Sequence, residues 1–242
     1  MKAIVFDVFG TIVDWRSSLI HQFNELEKEL GLELPCEALT DQWRQLYAPS
    51  MDRVRQGELP WTVLDDLHRE SLVKLLNQHG IALDEATIDR INLFWHRLTP
   101  WPDVQRGLQR LKEQYIIATL TNGNISLMVD VARYAELPWD MVFSAELFQH
   151  YKPDPEVYLG ACHLLRLPPE EVMLCAAHNS DLRAARALGM KTAFIPRRTE
   201  YGLQQRNDLE AEEAWDVVAE DLVALSEQGA SHPGHMSRAK CV

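Results

Sequence analysis

Apolar positions along this chain follow two periods, and the change from one to the other sets the fold. Lys2-Ala3-Ile4-Val5-Phe6 is a short β-branched run that stops at Asp7, too short for a buried helix and suited to a central strand. From residue 14 to 99 the spacing is helical. Leu19, Ile20, Phe23, Leu26 and Leu30 share one face up to Gly31, and 39–54, 61–78 and 85–98 continue in the same way, with Pro49 expected to kink or split the first of these. Pro100-Trp101-Pro102-Asp103 ends the run. Beyond it, helices at 104–113, 125–135, 155–165 and 182–188 alternate with strands at 115–120, 141–143, 172–176 and 192–195.

Alternation of this kind implies right-handed crossovers and a parallel sheet. The predicted fold is α/β: a Rossmann-like, doubly wound parallel sheet of five main strands, interrupted after the first by an all-helical cap. Residues 1–13 and 100–225 form the core, 14–99 the cap, and the two crossings between them a hinge. Residues 226–242, with Gly229, Ser231, Pro233 and Gly234, read as a mobile tail.

Composition narrows the functions. At 242 residues and 46% hydrophobic, the chain buries a substantial core. A formal charge of -12 argues against a nucleic-acid partner, because phosphate backbones are held by clustered Lys and Arg. An anionic substrate would need a local positive site. No stretch has the length of a membrane span and no basic leader precedes the first strand, so no membrane partner is expected and the cytoplasm is. The four cysteines, Cys36, Cys162, Cys175 and Cys241, have neither zinc-site spacing nor disulfide-scaffold density.

The chemistry gathers at strand ends, where open parallel sheets place their sites. Asp7 is followed by Val8-Phe9-Gly10-Thr11, a turn with free amides, although an Asp there also serves as a turn former or cap. Thr121-Asn122-Gly123-Asn124 offers a hydroxyl, an amide and a helix amino terminus, and reads as an anion site or as a helix cap. In Tyr151-Lys152-Pro153-Asp154-Pro155 the prolines fix the backbone around Lys152, which is otherwise a solvated charge. Cys175-Ala176-Ala177-His178-Asn179-Ser180-Asp181 ends the fourth strand, with Asp181 either a site carboxylate or the next N-cap.

In order and approximate spacing these four segments resemble the motifs of the haloacid dehalogenase superfamily, over nearly the whole chain and with a cap inserted after the first motif. Phosphatases of that superfamily carry a second Asp two residues after the nucleophile, which protonates the leaving group and helps hold magnesium. Here that position is Phe9, and a phenyl ring does neither. The fourth motif has Asp181 alone, with Ala176, Ala177 and His178 where another acid would sit. The chain therefore resembles the L-2-haloacid dehalogenase branch, whose first motif has an aromatic residue at that place. Asp41-Gln42-Trp43-Arg44-Gln45-Leu46-Tyr47 resembles the branch's cap segment; without the resemblance, Arg44 is a solvated face residue and Trp43 and Tyr47 are cap packing.

The resemblance implies hydrolytic release of halide from a small anionic 2-haloacid, with inversion, without metal or other cofactor, and favours a homodimer. It makes Asp7 the nucleophile, gives the departing halide to Arg44 and Asn122, has Lys152 keep Asp7 ionised, and has Asp181 orient Lys152 and help with the hydrolytic water. Tyr158 supports the site, and the substrate carboxylate is anchored by the amides at Val8 and Phe9 and by the Thr121 hydroxyl. Family members carry a serine and an asparagine where this chain has Ala176 and His178. His178 then positions the water, acts as base, or only supports the site by hydrogen bonding. A phosphatase of the same superfamily and a non-catalytic binding protein are the competing readings.

Overall fold

The computed structural model describes residues 1–230. β1 (Ala3–Phe6) is buried on both sides: Ala3 and Val5 enter one apolar cluster, Ile4 and Phe6 the other, as the two-residue period of a central strand requires. β2 (Val13–Asp14) leads into a helical block. In it α1 (Trp15–Leu30), α2 (Cys36–Gln45), α3 (Tyr47–Arg55), α4 (Leu64–Gln78) and α5 (Glu85–Asn92) are followed by a 3₁₀ turn, Leu93–His96. α1 starts where Asp14 accepts the amide of Ser17 and ends at Gly31 in the left-handed conformation (φ 63°). Its buried stripe is Trp15, Leu19, Phe23 and Leu26; of the other positions the apolar spacing marks, Ile20 is half-buried and Leu30, in the last turn, is exposed. β3 (Thr99–Pro100) returns and pairs antiparallel with β2, so both crossings meet in one short ribbon.

The rest of the chain alternates. α6 (Val104–Lys112), β4 (Ile116–Thr121), α7 (Ile125–Tyr134) and β5 (Met141–Ser144) precede α8 (Ala145–Phe148), α9 (Pro155–Leu165) and β6 (Val172–Ala176); α10 (Asn179–Ala187), β7 (Lys191–Phe194), β8 (Val217–Val218) and α11 (Leu222–Ala230) complete it. The main sheet has six strands in the order β5-β4-β1-β6-β7-β8, all neighbours parallel. Val104, Leu108 and Leu111 of α6 and Leu127 and Val131 of α7 pack in the cluster of Ile4 and Phe6; Val157 and Tyr158 of α9 and Leu182 of α10 pack in that of Ala3 and Val5. This is the doubly wound arrangement, with β1 at its centre and strand order diverging to either side of it.

Three expectations are corrected. The sheet has a sixth strand, β8, a two-residue edge too short to carry a period. The break between α2 and α3 falls at Leu46, and Pro49 sits in the first turn of α3, where no intrahelical donor is lost. The tail does not begin at Ser226. That residue is buried within α11, whose first turn is held by Asp103 accepting the amide of Leu222 at 2.9 Å. Leu222 packs so closely on α6 that a Cβ at Gly107 would lie 2.4 Å from its own Cβ. The remainder of the expected tail, 231–242, lies outside the described residues. No helix among the described residues is long and apolar enough to cross a membrane.

Candidate active site

Register places Asp7 first. Phe6 pairs with Thr119 of β4 and with Cys175 of β6, so Asp7 is the residue that steps off the carboxyl edge of the sheet, its amide still donating to the Cys175 carbonyl at 3.1 Å. The turn beyond it folds back on itself, with the amides of Ile12 and Val13 both reaching the Val8 carbonyl. The Thr11 hydroxyl donates to Asp7 Oδ2 at 2.7 Å and accepts the Ala177 amide at 2.9 Å, tying the ends of β1 and β6 together. Arg197, in the loop after β7, donates to the Thr11 carbonyl and forks onto Asp103 at 2.7 and 2.9 Å. A planar guanidinium bound at three points leaves this turn little freedom.

Around the Asp7 carboxylate the charges are paired. Lys152 Nζ is 2.8 Å from Asp7 Oδ1 and 2.5 Å from Asp181 Oδ2, and the Tyr158 hydroxyl donates to the other Asp181 oxygen at 2.6 Å. The Lys152 amide donates to Asn122 Oδ1 at 2.8 Å, so the group Asn122 can still offer is its NH2 donor. Burial alone would make Asp7 a neutral acid; Lys152 and then His178 outweigh it and hold its pKa far below the usual carboxylate range. Burial likewise opposes the Lys152 charge, and Asp181 and Asp7 overcome it, raising its pKa.

His178 stands between two carboxylates. Its Nδ1 is 3.1 Å from Asp7 Oδ2 and its Nε2 is 2.9 Å from Glu200 Oε2. Burial works against a charged ring, but Glu200 and Asp7 hold its pKa well above the ordinary imidazole value, so the resting site carries an imidazolium donating both ways. Glu200 is 1% exposed and accepts the Trp15 indole N–H on its other oxygen at 2.9 Å.

Above these groups lies a cavity of about 230 Å³, with Phe9, Arg44, Tyr47 and Met51 on its apolar side. Phe9 packs edge-on against Tyr47 and Trp95, with ring centres 6.2 and 5.5 Å away. The Arg44 guanidinium lies 4.1 Å over the Tyr47 ring and 5.2 Å over Trp15. Its Nη1 is buried without a hydrogen-bond partner among the described residues, as are both ring nitrogens of His68 and the Trp95 indole nitrogen in the same aromatic nest.

Of the residues marked in the sequence, the structure brings Asp7, Phe9, Arg44, Asn122, Lys152, Tyr158, His178 and Asp181 to this one cavity. One it does not: Thr121 is fully buried and outside the cavity lining, its hydroxyl accepting the Gly123 amide at 3.1 Å. Val8 turns its side chain into the core and its carbonyl to the turn, which leaves its amide as the only group it can offer. Glu200 escapes sequence reasoning. The signal available is the strand-end rule itself, carried past β7 into the loop that follows. A wider cleft of about 340 Å³ lies across the Tyr151–Asp154 segment, but its Arg55 is already paired with Asp154 at 2.9 Å.

A family model described as haloacid dehalogenase-like hydrolase matches residues 1–189. The chain is 29% identical over 235 residues to (S)-2-haloacid dehalogenase 4A of Burkholderia cepacia, covering 92% of this chain and 96% of that one. Among solved structures, the L-2-haloacid dehalogenase PA0810 superposes with a TM-score of 0.95 at 64% identity, covering 96% of this chain and all of that one (100%). The L-2-haloacid dehalogenase of Xanthobacter autotrophicus, with chloropropionic acid covalently bound, superposes with a TM-score of 0.79 at 25% identity, over 95% of this chain and 98% of that one.

Proposed function

This chain belongs to the haloacid dehalogenase-like hydrolases, and on that premise we propose that its site removes halide from (S)-2-haloalkanoic acids, giving 2-hydroxy acids through an ester on Asp7. The enzyme is a hydrolase acting on carbon–halogen bonds. One observation carries the choice of chemistry within the family. Phe9 stands where a phosphatase needs its second acid, and no three His, Cys, Asp or Glu side chains among the described residues are placed together to hold a metal ion. A hard divalent ion needs several oxygen ligands, and with Phe9 in place of the second acid the cavity leaves it only the Asp7 and Asp181 carboxylates. The site does not fit magnesium, and no step is assigned to one.

In the first step a lone pair of the Asp7 carboxylate forms a bond to C2 of the substrate, and the carbon–halogen pair leaves with the halide. Lys152 and His178 keep Asp7 ionised for this attack. Arg44 Nη1, buried and without a partner, is the donor that meets the halide as its charge grows, together with the NH2 group of Asn122. Attack opposite the leaving group inverts C2. Water then adds to the Asp7 ester carbonyl and the 2-hydroxy acid departs. The turn amides beyond Asp7 face the substrate carboxylate. Three free, buried thiols, Cys36, Cys162 and Cys175, fit a reducing compartment, and a cytoplasmic homodimer completes the reading.

The test is halide release from chloroacetate and from each enantiomer of 2-chloropropionate with EDTA present throughout. Release from the (S) enantiomer supports the reading. No release with EDTA, together with magnesium-dependent hydrolysis of p-nitrophenyl phosphate, would transfer the protein to the phosphatases.

A further inference from the structure

We propose that Glu200 is the residue that orients His178 for hydrolysis of the ester on Asp7, a role that rests on the dehalogenase reading above. Its seat is built. Both carboxylate oxygens are engaged, one with Trp15 Nε1 and one with His178 Nε2, each at 2.9 Å. The carboxylate lies directly against the turn that follows the nucleophile: Gly10 has φ 86°, and a Cβ there would fall 2.1 Å from Glu200 Oε1. Only glycine combines that conformation with that approach. A buried carboxylate is costly unless charged or donor groups meet it, and the group that meets this one also touches the nucleophile.

The consequence lies in which ring nitrogen is free to act. Glu200 takes the Nε2–H of His178, so the proton that can leave and return is the one on Nδ1, the atom 3.1 Å from Asp7 Oδ2. While Asp7 is a carboxylate, the ring sits between two negative groups and holds both protons. Alkylation turns Asp7 into an uncharged ester, one of the two carboxylates is gone, and the Nδ1 proton passes to solvent. Nδ1 then takes a proton from the water whose oxygen adds to the ester carbonyl carbon of Asp7. Collapse breaks the bond from that carbon to the alkoxide oxygen, and the Nδ1 proton goes to the departing 2-hydroxy acid. The Asp7 carboxylic acid returns its own proton to Nδ1, and the resting state is restored. Over the cycle one water is consumed and one halide and one proton are released.

Glu200→Gln is the variant that separates the steps. A glutamine NH2 donating to Nε2 fixes the ring with its proton on Nδ1, the wrong nitrogen for a base. With (S)-2-chloropropionate, rapid-quench assays should give a burst of one halide per site at the wild-type rate. Turnover should then be about 100-fold or more slower, the scale of a lost general base, and intact-protein mass should show the alkyl adduct on Asp7. His178→Ala should accumulate the same adduct, and adding Glu200→Gln to it should change nothing further. A Glu200→Gln enzyme with wild-type turnover, or one whose first turnover is as slow as the rest, overturns the assignment. If Glu200→Gln loses its cooperative melting transition, Glu200→Asp carries the same test: a burst followed by slowed turnover supports the role, and no burst or unchanged turnover removes it. Wild-type enzyme that releases no halide from any haloacid would instead be a failure of the dehalogenase reading.

Discussion

The two walls of the cavity are built on opposite plans. On the core side every charged atom near the nucleophile already has a partner: Asp7 is held by Thr11, Lys152 and His178, Lys152 by Asp181, Asp181 by Tyr158, and His178 by Glu200. On the helical side four buried polar atoms sit among aromatic rings with no partner among the described residues: Arg44 Nη1, both nitrogens of His68 and Trp95 Nε1. The difference matches when charge exists. A nucleophile is charged before reaction, so its donors can be engaged in advance. A halide gains its charge only as the bond breaks, so the donor that waits for it, Arg44 Nη1, must be free and shielded from water, where its effect falls on the transition state.

The sharpest way to break this comparison is to empty the core side. Asp7→Asn keeps the shape and leaves the Lys152–Asp181 and His178–Glu200 pairs in place, so the variant should fold, yet halide release should fall about 10⁵-fold or more, the scale of losing a nucleophile. Residual turnover within tenfold of wild type would show that the paired carboxylate is not the attacking group. Arg44→Ala tests the other wall. It touches none of the core pairs and should lower kcat by about 10²–10³-fold, the scale of losing one preorganised donor, with a smaller change in KM. Arg44→Lys should not restore it, because an ammonium cannot lie flat over Tyr47 as the guanidinium does. Equal losses in kcat for the alanine variant and for a conservative change on the core side, such as Lys152→Arg, would erase the distinction between the walls.

How much of this is legible in the chain follows the same division. The core wall can be read because strand ends are local features. Val172–Ala176 is a five-residue apolar run bounded by turn residues, and α9 begins at Pro155, which is tolerated in a first turn and nowhere deeper. Both elements fall where the pattern puts them, and with them Lys152, His178 and Asp181. What cannot be read depends on distant partners. Glu200 lies in an aperiodic loop and reaches the site only because Gly10 has no side chain in the way. Thr121 carries the right hydroxyl, but it is fully buried outside the cavity, where it accepts the Gly123 amide two residues away. The Ser226 and Gly229 that suggest a tail sit in a helix capped by Asp103, more than a hundred residues earlier, and seated on the bare backbone of Gly107. On the helical wall the sequence identifies Arg44 through resemblance, and the unpartnered state of its Nη1 is visible only once the rings around it are in place.

His68 offers the finest test of the claim that this wall keeps its donors idle. The ring stacks on Trp95 with centres 4.4 Å apart, is 2% exposed, and its pKa is pushed down to about 3 by burial. His68→Phe preserves the stacking and removes two unpartnered nitrogens, so at pH 7 it should stabilise the fold by about 1 kcal/mol while leaving turnover near the wild-type value. The gain should grow in acid. Between pH 6.5 and about 3 the unfolded wild-type chain binds a proton at this histidine and the folded chain does not, so its stability falls with falling pH across that window, and phenylalanine has no such proton to bind. The gap between variant and wild type should widen by about 1.4 kcal/mol for each pH unit in that window. Urea midpoints for both proteins at pH 7, 5.5 and 4.5 would measure it. A gap that stays constant with pH, or a His68→Phe enzyme that is less stable and slower to release halide, would mean that the His68 nitrogens are in use, and that the polar atoms of the helical wall are paired like those of the core wall it faces.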